Sequence, residues 1–135
     1  MTVTPGATAE KTIQAEYDFA VDGGAISTIT LRQTGSTLPN LIPAGAVIVG
    51  GYIEVLTTLT SGGAATVGVN SEAAGDIKAA ATAFTVYATT GSGIVAILPS
   101  FGTTAVKTTA ARSLTITIAA ATVTAGKFRV VVFYK

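Results

Sequence analysis

Apolar and polar positions alternate along much of this chain with a period of two. From Thr12, the residues Ile13, Ala15, Tyr17, Phe19 and Val21 fall on one face, with Gln14, Glu16 and Asp18 on the other, the pattern of a strand half-buried in a sheet. Asp22-Gly23-Gly24 turns the chain and Ser27 to Arg32 returns it. A slip of one residue would put every apolar side chain on the wrong side. Pairing Phe19 with Ile29 and Tyr17 with Leu31 keeps the apolar faces together, leaves Gly23 to Ala25 as a loop and sets Glu16 opposite Arg32. These matches predict a hairpin.

The chain is organised around the stretch from Leu41 to Asn70. Val47, Ile48, Val49, Tyr52, Ile53 and Val55 read as a long strand bent at Gly50-Gly51; a turn at Thr60 to Gly63 leads to a returning strand at Thr66 to Val69. Asp76 before Ile77-Lys78-Ala79-Ala80-Ala81 predicts one or two helical turns, Asp being a good N-cap and Ala the best helix former. Thr85 to Tyr87 and Ile94 to Leu98 read as short strands, and Val106 to Thr109 as an edge strand. Leu114, Ile116 and Ile118 alternate with threonines. After a turn at Ala125-Gly126, pairing Ile118 with Phe128 and Ile116 with Val130 predicts a closing hairpin. Beyond Val130 both faces of the last strand are apolar, as expected of a strand covered on both sides. Phe133, opposite Val132 and Tyr134, then points toward a partner or a second layer, and Val131 lies on its face. About eight strands joined by short turns predict an all-β fold, an antiparallel β-sandwich of jelly-roll type, with a compact Greek-key barrel as the alternative. Residues 1–11 read as a flexible N-terminal arm and residues 12–135 as one β-sandwich domain.

Composition sharpens this picture. Only 11% of the 135 residues are charged, against about 25% in a typical soluble domain, and mean hydropathy is +0.61. So thin a charged skin implies that much of the surface is covered by copies of the chain or by a larger assembly. With a net charge of +1 there is no basic footprint for nucleic acid. Gln33 to Ile53 and Ala79 to Val106 carry no charge, but their Pro, Gly and Thr content argues against a membrane-spanning helix. The amino terminus has no basic start followed by an apolar run, so no secretory signal is expected.

Candidate chemistry is sparse. There is no cysteine and no histidine, which removes thiol nucleophiles, Cys/His zinc sites and the usual imidazole base. The carboxylate pairs Glu16 with Asp18 and Glu72 with Asp76 are the formal candidates for glycosidase chemistry, and Asp18 and Asp22 with Glu72 and Asp76 are those for calcium. Glu16 and Asp18 share an outward face beside Arg32, which is how a solvated face reads, and Glu72 and Asp76 belong to a polar turn. Without tryptophan, no sugar-stacking platform accompanies either pair. The residues predict no enzyme, no cofactor and no metal. The interaction candidates are Thr2, Val3, Thr4 and Pro5 of the arm, with Val131 and Phe133 of the last strand.

Four segments together carry a family resemblance: LIPAGAVIVGGYIEVLTTLTSGGAATVGV from Leu41, the acidic-then-Ala segment Glu72 to Ala83, Lys107-Thr108-Thr109-Ala110-Ala111-Arg112, and Thr124-Ala125-Gly126-Lys127-Phe128. From Leu41 to the carboxyl terminus the chain resembles small β-rich virion proteins of tailed bacteriophages, particularly those of actinobacteria. It is similar to capsid decoration (cement) proteins and head-fibre proteins. The resemblance implies a homotrimer bound to the major capsid protein on the outer capsid surface, stabilising the head against internal DNA pressure. The alternative is a tail, baseplate or head-fibre module that binds host-surface glycans.

Overall fold

The computed structural model describes residues 10–100 and 103–135. Its elements are β1 (Lys11–Asp18), α1 (Phe19–Asp22), β2 (Ser27–Thr30), β3 (Arg32–Gln33), β4 (Val47–Ser61), β5 (Thr66–Asn70), β6 (Lys78–Thr82), α2 (Ala83–Val86), β7 (Ile94–Ala96), β8 (Val106–Lys107), β9 (Thr115–Ala119) and β10 (Val123–Tyr134). The first sheet runs β3-β1-β10-β4-β7, with β8 also on β4; the second runs β2-β9-β5-β6. All pairings are antiparallel, so the expected all-β sandwich is what forms.

Many of the pairings nest one inside another, as in a single long hairpin. β1 pairs with β10, β2 with β9, Ile42 bridges Arg112, β4 pairs with β8 and β7, and β5 pairs with β6. The Ser71 to Asp76 turn is the apex. Asp76 builds it by accepting hydrogen bonds from the Ser71, Glu72 and Ala73 amides (2.7–2.9 Å) and from Ser71 Oγ. Pairing of β10 with β4 and of β5 with β9 then closes the folded hairpin into two layers.

Between the layers lies one continuous core. Phe128 packs against Tyr17 at 5.4 Å and Tyr87 at 5.0 Å between ring centroids, in tilted arrangements that aromatic pairs favour. Both phenols are satisfied: Tyr17 donates to the Gly23 carbonyl and Tyr87 to that of Val67. Buried Asn40 ties three strand ends, donating to the Leu31 and Leu114 carbonyls and accepting from the Leu114 amide at 2.7 Å. A buried amide with these partners avoids the cost of unmet hydrogen bonds.

Several local expectations change. Glu16 does oppose Arg32, but the expected hairpin ends there: only Ala15–Gln33 and Glu16–Arg32 pair. Phe19 to Asp22 form a helical turn capped by Asp18, and Ser27 to Thr30 join β9 in the other sheet. The closing hairpin is likewise absent. Ile116 and Ile118 face the core from the second sheet, Phe128 and Val130 from the first, so their apolar faces meet across the sandwich rather than along a ladder. Similarly β4 and β5 are consecutive but lie in different sheets. Gly126 lies within β10 at a register shift; the preceding reversal is at Ala120, with φ 69°. The helix expected after Asp76 is instead edge strand β6, and helical turn α2 occupies most of the strand expected at Thr85 to Tyr87. Asp76 spends its carboxylate on the turn before it, which removes the helix cap.

Candidate functional site

Among the described residues there is no catalytic constellation, and the outward faces of the two sheets differ sharply. On β10, Phe128, Val130 and Val132 turn inward, so strand alternation turns Lys127, Arg129, Val131 and Phe133 outward. Register aligns a row of alternating charge across four strands: Arg32, Glu16, Arg129 and Glu54. Arg32 lies 3.4 Å from Glu16 and grips Asp22 with two nitrogens at 2.9 and 3.1 Å; Arg129 reaches Glu54 at 3.1 Å. Lys127 stands 3.8 Å from Glu16 and 4.0 Å from Asp18. The hydrogen bonds and charge of Asp22 raise the already high pKa of Arg32, against the opposing effect of burial. This is an electrostatically zipped face, and its carboxylates are occupied.

Next to the charged row lies an apolar one. Val131 sits between Gln14 and Tyr52 across the strands and is only 2% exposed, although it lies outside the main core. Phe133, half-buried, meets Tyr52 edge-on at 6.3 Å. The last strand is therefore central in its sheet; on its outward face Val131 is shielded within the chain, and the Phe133–Tyr52 pair forms a partly exposed apolar surface beside it. Thr2, Val3, Thr4 and Pro5 lie outside the described residues.

The second sheet presents Thr66, Gly68 and Asn70 of β5 and Thr115, Thr117 and Ala119 of β9 outward, none charged. Its polar atoms are knitted laterally: Thr28 to Thr117 at 3.2 Å, and Asn70 to Thr115 and Thr117 at 3.0 and 3.1 Å.

The remaining carboxylate candidate, Glu72, is clamped. Arg112 donates to both of its oxygens at 2.8 and 3.0 Å, and the Thr109 hydroxyl and amide add to the grip. Hydrogen bonds from Arg112, then from Thr109, hold its pKa down to about 2. The clamp fastens the apex turn to the segment before β9. Register sets this turn beyond the Asn70–Thr115 end of the second sheet, while β2 follows α1 at the opposite, Ser27–Ile118 end. Among the described residues, no three acidic side chains lie close enough together to hold a metal ion.

No protein-family model matches the chain, and no curated protein matches it in sequence. Solved structures do match in fold. A chain of the cyanophage Pam1 capsid asymmetric unit superposes with a TM-score of 0.62 at 19% identity, covering 99% of this chain and 91% of that one. A chain of the capsid of Ralstonia phage GP4 gives 0.61 at 19% identity over 99% and 89%. One from the acidic stable capsid structure of Helicobacter pylori bacteriophage KHP30 gives 0.61 at 15% identity over 93% and 86%. This chain shares its fold, over nearly its whole length, with chains found in phage capsids.

Proposed function

We propose that this chain is a non-enzymatic structural protein of a bacteriophage virion. Specifically, it acts as a decoration or cement protein that binds the outer surface of the major capsid protein lattice as a homotrimer and stabilises the head. The observation that carries the reading is the near-complete fold match to chains of three phage capsids at similar TM-scores. The strand order supports it further. Four strands of each sheet, β1-β10-β4-β7 and β2-β9-β5-β6, interleave the two arms of one folded hairpin, which is the winding of a jelly roll, a fold that capsid domains use. The low overall charge and the uncharged outward positions of β5 and β9 suit a protein whose stability is completed by contacts with neighbours. Phe133, backed by Val131 and Tyr52, is a proposed lattice contact.

The test is reconstitution. Purified protein added to capsid shells that lack it should co-sediment saturably with them. Failure to bind shells, together with binding to isolated tails or fibres, would overturn the decoration role. That second outcome belongs to the alternative reading, a tail, baseplate or head-fibre module for host glycans. One observation favours it: Tyr52 and Phe133 stand side by side on an outward face next to Glu54.

A further inference from the structure

The first sheet has an incomplete edge. β3 covers only the second half of β1: the ladder stops at Ala15 and Gln33, with a last, long backbone bond from the Thr34 amide to the Gln14 carbonyl at 3.4 Å. Beyond it, among the described residues, no strand lies against Thr12 on the side away from β10. Strand alternation sends the Thr12 amide and carbonyl, like those of Gln14, toward that open side. An open edge is a template for another strand.

A groove of about 410 Å³ lies at this edge, floored by Thr12, Ile13 and Gln14 and walled by Gln33, Thr34 and Leu41. Its lining carries no charge. Leu41 is 60% exposed, as is nearby Leu38. Thr34 Oγ1 is buried, yet it makes no hydrogen bond among the described residues. The groove therefore offers a backbone ladder, an apolar rim and a hydroxyl without a partner. It suits an extended, uncharged segment bearing a small apolar side chain and a hydrogen-bonding neighbour.

We propose that Thr2 to Pro5 of a second copy of this chain add a strand in this groove. The segment Thr2-Val3-Thr4-Pro5 has that chemistry: β-branched throughout its first three residues, one apolar side chain between two hydroxyls, no charge, and a proline to end the pairing. Supply from the same chain is disfavoured by the sequence. In the tightest hairpin that brings Val3 beside Thr12, the chain turns at Ala7-Thr8, a pair unsuited to two-residue loops, which take Gly, Asn or Asp. Supply from a neighbour needs no such turn, and nine extended residues span about 30 Å. The exchange is a β-augmentation between copies, and it stands whatever particle the copies occupy.

The chain has no cysteine, so site-directed disulfides report directly. Full-length Val3→Cys and Thr34→Cys proteins, mixed and mildly oxidised, should give a covalent two-chain species. Its yield should exceed by about tenfold that of Val3→Cys mixed with Thr30→Cys, a control on the other sheet. A peptide of residues 1–9 in excess should suppress it. Leu41→Cys is the second reporter in case Thr34→Cys does not fold. Yields equal to the control would overturn the proposal. So would a Val3→Cys/Thr34→Cys double variant that closes only within one chain. Neither result would touch capsid binding, which the reconstitution measures separately.

Discussion

Phe128 lies between Tyr17 of β1 and Tyr87, which follows α2, within the shared core. Phe128→Ala empties a site that its neighbours cannot refill, and a loss of about 3–5 kcal/mol in unfolding free energy is expected, measured by chemical denaturation. The same tyrosines set an alkaline limit. Burial first, then the charges of Asp22 and Asp18, pushes the Tyr17 pKa up to about 12, and burial raises that of Tyr87 as well. An unfolded tyrosine ionises near 10. Because the folded values are raised, the stabilisation is complete below about pH 10 and is lost as pH rises through about 12. Denaturation midpoints should fall across that window, with phenolate absorbance from Tyr87 appearing only on unfolding; a flat profile would contradict its burial. Glu72 has the opposite sign. Its folded pKa is lowered to about 2, so the clamp's contribution is present above the ordinary carboxylate value of about 4.3 and is lost as pH falls through about 2. Glu72→Gln should therefore flatten the acid limb of the stability profile.

At the scale of elements, two glycines allow β4 and β10 to run together. Gly51 has φ +142°, and a Cβ there would stand 2.0 Å from the Val131 carbonyl oxygen; a Cβ on Gly126, at φ +131°, would enter Leu59. Gly51→Ala is expected to cost more than about 3 kcal/mol or to abolish cooperative unfolding. Gly62→Ala, which faces open space, should stay within about 0.5 kcal/mol; equal effects would contradict the close approach of these strands. The long strand β4 was legible from its β-branched and aromatic run, which continues through Gly50 and Gly51. The strands β1, β9 and β10 were legible from alternation, and the Glu16–Arg32 register from charge. What could not be read was which sheet each strand joins. Ile118 and Phe128 align their apolar faces as well across a sandwich as along a ladder, so a local match cannot distinguish the two. The helix expected after Asp76 fails for a related reason: the carboxylate that would cap it has a better use in the turn before it, and Ala79 to Ala81 are small enough to lie beside Gly68 in an edge strand.

For the whole molecule, the few charges are unevenly placed. Four carboxylates and three cations interlock on the outward face of one sheet, while the central strands of the other present only Thr, Gly, Asn and Ala. The low charge density seen in the sequence is thus a property of one face more than of the surface at large. That Val131 would be shielded inside the chain was not visible in the sequence, since a strand covered on both sides reads the same whether its own fold or a partner supplies the cover. We have proposed that this β-sandwich chain decorates a phage head. A cryo-electron reconstruction of the native virion, at a resolution that traces side chains, tests it most directly. Density for the chain is expected on the outer capsid surface, clustered in threes and touching the major capsid protein. Density confined to the tail tip, a fibre or the shell's interior would contradict it.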